Sequence, residues 1–351
     1  MIERSLLALV LISLATSLDA QRSPVAPVLP PPPAQQKGPS VLDVVVTDKA
    51  GHPISGLQQG DFTLLDDGQP TPILSFKATD AAPEPTQVIL LIDEVNTSFT
   101  AVSTERTQLD KLLTANGGRL PFPFTVIFLT DTGMTQVNQP TTDGMALDAQ
   151  FRKQESTLRD LRRSAGFYGA SDQMGISLKA LGSLAQTLGP VPGKKLVVWM
   201  SPGWWLFNSP GVYISDRMHR TYFGAIVDLN KSLERARVVL YAVNPLGASD
   251  AGSMHNFEWR DFTRPVRDAN HAQPGDLALQ ALAQTSGGQV LFGSNDIAAE
   301  VAQCVADGSS SYRLTFDTEH ADAPNTWHSL QLRMDKPALK PRTRDGYYAE
   351  P

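Results

Sequence analysis

One stretch of the sequence constrains the fold more than any other. Val88 to Ile92 is an unbroken apolar run made mostly of β-branched residues. A run of this kind, bounded by polar residues, is typical of a strand that is buried on both faces in the middle of a parallel sheet. The run ends at Asp93, and in open α/β sheets binding sites form beyond the carboxyl ends of the strands. Asp93 is therefore predicted to lie where a functional site would form.

From residue 87 onward, predicted strands and helices alternate along the chain. This alternation is the pattern of a mostly parallel sheet covered by helices on both faces. Further strands are predicted at 124–129, 194–200, 237–243 and 289–292, and helices at 104–114, 144–162, 173–188, 221–235, 277–285 and 296–306. A long loop is predicted over 246–275. The sequence thus predicts an α/β domain over residues 86–308.

The segments on either side of this domain have the alternating pattern of antiparallel strands. Residues 41–80 contain predicted strands at 41–47, 61–65 and 71–76, with Asp66-Asp67-Gly68 as a hairpin signal. Residues 309–351 contain predicted strands at 311–316, 328–334 and 343–348. Because the first segment is too small to bury a core alone, we expect the two segments to form one small antiparallel β-sandwich.

The N-terminus has the pattern of an exported protein. Arg4 precedes an apolar run over 6–14, and small residues follow up to Ala20, which predicts a cleaved signal peptide over 1–20. A membrane anchor is the alternative, but the run is shorter than the roughly 20 apolar residues that span a bilayer. The proline-rich segment 21–40 predicts a stiff linker. We expect a secreted or periplasmic protein without a transmembrane span after signal cleavage.

Composition excludes several classes of function. The 351 residues carry a net charge of −6 and no basic stripe, so a nucleic-acid partner is not expected. The single cysteine, Cys304, excludes an internal disulfide and a cysteine-based metal site. We expect Cys304 to be buried, since an exposed thiol is a liability in an oxidising compartment.

The segment LLIDEVNTSF, in which Asp93 is followed by hydroxyl-bearing residues, resembles the first strand and loop of von Willebrand factor A-type (VWA) domains. The order of the segments VVVTDKAGHPISG, LLIDEVNTSF, KKLVVWMSPG, VVLYAVNP and RTRDGYY is similar to that of acidobacterial-type VWFA-related proteins over about residues 41 to 350. The resemblance implies a VWA-like, Rossmann-type fold. It also implies an Asp-x-Ser-x-Ser loop that holds Mg²⁺, matched here by Asp93, Val95 and Thr97.

The resemblance implies a degenerate metal site. Val95 replaces one oxygen ligand, and Ser201-Pro202-Gly203 stands where metal-binding VWA domains usually have Asp-Gly. We therefore expect no cofactor. The alternative is Mg²⁺ or another divalent cation held by Asp93, Thr97 and Asp131, with Ser171 and Asp172 as weaker candidates. A third interpretation is that Asp93 and its neighbours hydrogen-bond the loop backbone, as Asx turns do.

The edge that carries Asp93 is also the predicted recognition surface. Aromatic residues after the strand at 194–200 are expected on the same rim, where aromatic side chains often dominate binding; the alternative is that they pack onto their own sheet. The candidate binding residues are Asp93, Asn96, Thr97, Ser98, Ser201, Trp204 and Trp205.

The sequence favours a non-enzymatic module for protein–protein or surface interaction. The first alternative is a Mg²⁺-dependent adhesion module that uses Asp93 and Thr97. A periplasmic hydrolase is the second alternative, although neither a Gly-x-Ser-x-Gly elbow nor a His-Glu-x-x-His motif occurs. For both kinds of interaction module we expect a protein partner.

Overall fold

The computed structural model describes residues 39–79, 84–97, 99–153, 167–204, 214–309, 311–318 and 323–350. The predicted signal peptide and nearly all of the predicted linker lie outside these ranges. None of the helices within them is both long and apolar enough to cross a bilayer.

The chain forms fifteen described strands and seven described α-helices, joined by turns and short 3₁₀ helices. The strands are β1 Ser40–Thr47, β2 Phe62–Asp66, β3 Gln69–Thr71, β4 Ser75–Ala78, β5 Thr86–Asp93, β6 Arg119–Thr130, β7 Gly133–Gln136, β8 Thr141–Asp143, β9 Lys194–Met200, β10 Val238–Val243, β11 Val290–Leu291, β12 Tyr312–Phe316, β13 Trp327–Met334, β14 Lys340–Arg342 and β15 Gly346–Tyr348. The helices are α1 Phe99–Thr114, α2 Gly144–Lys153, α3 Phe167–Leu188, α4 Asp216–Arg235, α5 His255–Glu258, α6 Leu279–Thr285 and α7 Ile297–Ala306.

A seven-stranded, mostly parallel sheet lies at the centre of the molecule. Its order is β11-β10-β9-β5-β6-β7, and β8 also pairs with β6. The strands from β11 to β6 run parallel, whereas β7 and β8 pair antiparallel with β6. This confirms the predicted mixed α/β architecture with a mostly parallel sheet.

The two faces of β5 explain why its sequence is apolar without interruption. Val88, Leu90 and Ile92 pack in one hydrophobic cluster with residues of α1, α2 and α7. Ile89 and Leu91 pack in a second cluster with residues of α3, α4 and α6. Because successive side chains of a strand point to opposite faces, a strand with helices on both sides must be apolar at every position.

Strands from the two ends of the described chain pair with each other in two antiparallel sheets. One sheet has the order β14-β1-β12-β4, and the other has the order β15-β13-β2-β3. Leu42 lies opposite Leu314 in the first sheet, and Leu64 lies opposite Leu332 in the second. The inward-facing residues of both sheets form one hydrophobic cluster: Leu42, Val44, Val46, Phe62, Leu64, Tyr312, Leu314, Phe316, Leu330 and Tyr347.

Two predicted strands are in fact divided. The strand predicted at 71–76 is broken after Thr71, so that β3 pairs with β2 while β4 pairs with β12 in the other sheet. Pro72 lies at the break, where proline cannot donate a hydrogen bond to a neighbouring strand. The strand predicted at 343–348 is likewise replaced by β14 and β15, which belong to different sheets.

Helix boundaries also differ from the predicted ones. Helix α3 begins at Phe167 rather than at 173, so Ser171 and Asp172 lie inside the helix rather than in a loop. Helix α2 is described to Lys153, and the rest of its predicted length lies outside the described ranges. At α7 the Asp296 side chain caps the helix, because it accepts a hydrogen bond from the Ala299 amide. Cys304 is fully buried on α7, as expected.

Candidate functional site

The candidate site lies at the carboxyl edge of the parallel sheet. Strand β5 ends there at Asp93, β9 at Met200 and β10 at Val243, and the register places these ends side by side. The segments that leave this edge carry most of the site residues predicted from the sequence.

The carboxylate of Asp93 is completely buried and accepts four hydrogen bonds from its own chain. Oδ1 accepts from the backbone amides of Val95 at 2.8 Å and Asn96 at 2.9 Å. Oδ2 accepts from Nδ2 of Asn96 at 2.7 Å and from the indole Nε1 of Trp199 at 3.0 Å. A carboxylate offers about four lone-pair sites, and all of them are engaged here.

The loop after Asp93 is also held by α3. Nδ2 of Asn96 donates a hydrogen bond to the hydroxyl oxygen of Ser177 at 2.9 Å. Nε2 of Gln173 donates to the carbonyl of Val95 at 3.1 Å. Neither Trp199 nor Ser177 can be recognised as a site residue from the sequence, because neither side chain belongs to a recognisable motif. The contacts arise from strand register and helix docking, which no local signal encodes.

The fit of a divalent cation to this loop can be judged from its oxygens. Direct coordination by Asp93 would have to displace one of its four donors. Oδ1 of Asn96 and Oγ1 of Thr97 are buried without a hydrogen-bond partner among the described residues. Both oxygens belong to uncharged side chains, so they add no negative charge to a cation site. Asp131 lies exposed in the turn after β6. The described residues bring neither Asp93 nor Asp131 together with two other acidic or histidine ligands. The loop as it lies is therefore a poor fit for directly bound Mg²⁺.

Two further acidic side chains are buried behind this loop. Burial raises the pKa of the Glu105 carboxyl well above its ordinary value, and the charges of Asp93 and Glu94 raise it further, against the opposing charge of Arg106. Burial likewise raises the pKa of Glu94, although less strongly. The guanidinium of Arg106 lies over the rings of Phe128 and Phe151 at 5.5 and 5.4 Å. The environment of Glu105 thus favours the protonated form of its carboxyl.

The loop after β9 folds inward at its start. Ser201 is buried, and its hydroxyl accepts a hydrogen bond from the Gly203 amide at 3.0 Å. Trp204 is also buried, with Nε1 donating to the Leu277 carbonyl at 3.1 Å and its ring 5.8 Å from that of Trp199. Ser98 and Trp205, which the sequence analysis assigned to the same rim, lie outside the described residues.

A polar cluster orders the loop that follows β10. Nδ2 of Asn244 donates to Oδ2 of Asp250 at 2.7 Å and to Oδ1 of Asn256 at 3.0 Å. The indole of Trp259 donates to the Asn256 carbonyl at 2.8 Å. These bonds hold α5 against the sheet edge, where the sequence analysis had predicted only a loop.

This ordered loop presents apolar side chains to solvent. Met254 is 69% exposed and Phe257 is 39% exposed. The ring of Phe257 packs edge-on against Phe292, which follows β11 at the same sheet edge. The guanidinium of Arg260 lies 5.0 Å from the Phe257 ring. We call Met254, Phe257, Arg260 and Phe292 the rim patch.

The described histidines have carboxylate or carbonyl neighbours. His255 lies 2.8 Å from Asp250, His271 lies 2.9 Å from Asp268, and Nδ1 of His219 lies 2.7 Å from the Ala272 carbonyl. In the described part of the chain, no serine hydroxyl forms a hydrogen bond with a histidine ring nitrogen.

No family model matches this chain, and no curated protein matches its sequence. Among solved structures, the human COPII-coat protein Sec24c is similar with a TM-score of 0.31 and 11% identity, over 76% of this chain and 44% of that chain. The pilus adhesin SpaC from Lactobacillus rhamnosus GG, in its open conformation, has a TM-score of 0.34 and 11% identity, over 89% of this chain and 48% of that chain. Manganese-loaded Plasmodium vivax TRAP protein has a TM-score of 0.30 and 10% identity, over 81% of this chain and 98% of that chain. The chain spans less than half the length of the first two structures. Because identities and scores are this low, these likenesses carry no conclusion about function.

Proposed function

We propose that this chain is an exported, non-enzymatic interaction module, in which a VWA-like α/β domain is carried on a β-sandwich formed by the two flanking segments. It would bind a protein partner at the carboxyl edge of the parallel sheet without requiring a metal ion. The observation that carries the proposal is the saturation of Asp93, whose carboxylate accepts four hydrogen bonds from Val95, Asn96 and Trp199. In this role Asp93 holds the loop at the sheet edge in place, and it neither reacts with a substrate nor coordinates a metal ion.

The rim patch supports recognition at this edge. The carboxyl ends of β5 and β10 are separated only by β9, which places them about 10 Å apart. Exposed Met and Phe side chains beside an arginine have the composition that is enriched in protein–protein interfaces. Because the loop that presents them is held by Asn244 and Asn256, little conformational entropy would be lost on binding.

The contacts of the described histidines support the non-enzymatic part of the proposal. Hydrolysis by a serine would need a histidine within hydrogen-bond reach of the hydroxyl. His255 and His271, which lie in the loop where such a base would be sought, face aspartates instead. Turnover of a substrate panel that one histidine or serine substitution abolishes would contradict this part.

A Mg²⁺-dependent adhesion module is the second candidate. It is favoured by one observation: beside Asp93, the buried oxygens of Asn96 and Thr97 have no hydrogen-bond partner among the described residues. A water-bridged cation at these oxygens, completed by a carboxylate of the partner, would satisfy them. Dependence of partner binding on Mg²⁺ separates this candidate from the metal-independent module.

Site-specific photo-crosslinking tests the proposal. A photo-reactive amino acid replaces Met254 on the rim patch, or Met145 on α2 as a matched control that is 53% exposed. The mature chain is then illuminated on intact cells of the source organism. We expect a discrete crosslinked protein from position 254 that unlabelled chain competes away, that is absent from position 145, and that EDTA does not abolish. Equal crosslinking from both positions would contradict the rim as the binding surface, and abolition by EDTA would favour the second candidate.

A further inference from the structure

A second group of ligand-type side chains lies in the antiparallel sheets. Asp66 ends β2, Asp67 lies in the following turn, and His328 lies on the neighbouring strand β13. Nδ1 of His328 lies 3.1 Å from Oδ2 of Asp67 and 3.6 Å from Oδ1 of Asp66. Ligand atoms of all three residues lie within 4.8 Å of one another.

The remaining oxygens of both carboxylates are held by the protein. Oδ2 of Asp66 accepts a hydrogen bond from the Tyr347 hydroxyl at 2.7 Å. Oδ1 of Asp67 accepts from the amide and the hydroxyl of Ser329, both at 2.9 Å. The Tyr347 ring also stacks on the imidazole of His328, at 5.1 Å between centroids. In each carboxylate, hydrogen bonds to one oxygen fix the orientation of the group, and the other oxygen faces the imidazole of His328. Hydrogen-bond partners of this kind orient the ligands in metal sites.

Two buried atoms in this group, Oδ1 of Asp66 and Nε2 of His328, lack a hydrogen-bond partner among the described residues. The side chain of Asp66 is only 6% exposed, and its Oδ1 accepts no hydrogen bond from any described residue. The 3.6 Å to Nδ1 of His328 is longer than a hydrogen bond. A buried carboxylate oxygen left unpaired is costly, and a bound cation would remove that cost. Asp67, by contrast, is 48% exposed, so the group opens to solvent on one side.

We propose that Asp66, Asp67 and His328 bind a divalent transition-metal ion of the Zn²⁺ type, with water completing the coordination from the side of Asp67. Metal–ligand bonds of about 2.0–2.1 Å place neighbouring ligand atoms roughly 3 to 3.4 Å apart, depending on geometry. The observed 3.1 Å lies within that range, and the observed 3.6 Å lies slightly above it. An imidazole ligand favours Zn²⁺ or Co²⁺ over Mg²⁺ and Ca²⁺.

The ion would join two distant parts of the chain. Asp67 and Ser329, which hydrogen-bond beside the site, are 262 residues apart. Because the unfolded chain cannot bring these ligands together, the ion binds the folded state and stabilises it.

Calorimetric titration of metal-free mature protein with Zn²⁺ tests the site, and Co²⁺ absorption reports its coordination. We expect one saturable Zn²⁺ site, affinity at least ~10-fold weaker in His328→Gln and in Asp67→Asn, and a melting temperature raised by about 5 °C at saturating Zn²⁺. Asparagine tolerates the positive φ of 46° at position 67, so this variant keeps the turn. His271→Gln is the matched control, because that imidazole faces a single aspartate and is exposed. It should bind Zn²⁺ as the wild type does.

Absence of saturable Zn²⁺ binding would overturn the proposal and leave a structural histidine–carboxylate contact as the role of these residues. Equal loss of affinity in His271→Gln and His328→Gln would overturn it as well. Asp93→Asn should leave Zn²⁺ binding unchanged, so failure of the metal site and failure of the rim proposal can be told apart.

Discussion

The carboxylate of Asp93 combines a local and a long-range role. Its bonds to the amides of Val95 and Asn96 form the tight turn that an aspartate at a strand end commonly makes. Its bond to Trp199 crosses to the neighbouring strand, and Trp199 in turn packs against Trp204. Asp93 therefore links the two loops that shape the edge of the sheet.

Removal of this carboxylate is expected to destabilise the fold. In Asp93→Ala, four buried donors lose their acceptor, so we expect the free energy of unfolding to fall by about 3 kcal/mol in urea denaturation. The control is Asp131→Ala at the exposed turn after β6, which should change stability by less than about 0.5 kcal/mol. Similar small effects in both variants would show that Asp93 is not a structural residue.

Glu105 gives a prediction about pH. Its pKa is raised in the folded state by burial and by the charges of Asp93 and Glu94, above an ordinary value of 4.5. The Glu105 carboxyl therefore makes its full contribution to folding stability when the pH is below the ordinary pKa. This contribution is lost as the pH rises through the pKa of the folded state. As the pH rises above that ordinary value, we expect Glu105→Gln to lose less stability than the wild type. Parallel stability curves for the two proteins, measured by urea denaturation across this pH range, would contradict a raised pKa of Glu105.

The sequence predicts which residue stands at the strand end, but not which partners it meets there. Asp93 follows a recognisable buried run, so its place at the sheet edge could be predicted. Trp199 is 106 residues away, and its contact depends on the register between β5 and β9. The same holds for His328 beside Asp66, since strand pairing between distant segments leaves no signal in either segment alone.

At the scale of elements, strongly patterned segments were predicted well. The apolar runs of β5, β9 and β10 were located to within about two residues, the usual precision of such boundaries. The segments around Pro72 and Thr343 were predicted less well, because their strands divide between two sheets. Alternation of apolar residues indicates a strand, but it does not say which sheet the strand joins.

Phe62 tests whether the two flanking segments form one folded unit. Its ring lies 5.7 Å from that of Phe76 on β4 and 5.4 Å from that of Tyr312 on β12. We expect Phe62→Asp to cost about 4 kcal/mol, because it buries a charge in a core shared by both segments. Hydrogen exchange should show β1, β2, β12 and β13 losing protection together.

The matched control for this substitution is Thr63→Asp. Thr63 is the next residue along β2 and points outward, so the new charge stays in water and the effect should be small. Loss of protection confined to β1 and β2 in Phe62→Asp would contradict the shared core.

For the whole molecule, charged contacts join the antiparallel sheets to the opposite edge of the parallel sheet. Arg237, just before β10, forms ion pairs with Asp43 on β1 and with Glu84, and Glu84 also pairs with Arg313 on β12. Arg237 has a positive φ of 51°, which these contacts help to maintain. Since Glu84 and Arg237 precede β5 and β10, the antiparallel sheets lie at the amino edge, opposite the carboxyl edge that carries the rim patch.

The central claim is that this edge works without a metal ion bound to Asp93. Calorimetric titration of Mg²⁺ into the mature His328→Gln protein tests it most directly, because that background removes the proposed second cation site. Asp93→Asn in the same background is the comparison. The account predicts no saturable Mg²⁺ binding in either protein and a lower stability in Asp93→Asn. Saturable Mg²⁺ binding that disappears in Asp93→Asn, with stability unchanged, would contradict it and establish Asp93 as a metal ligand.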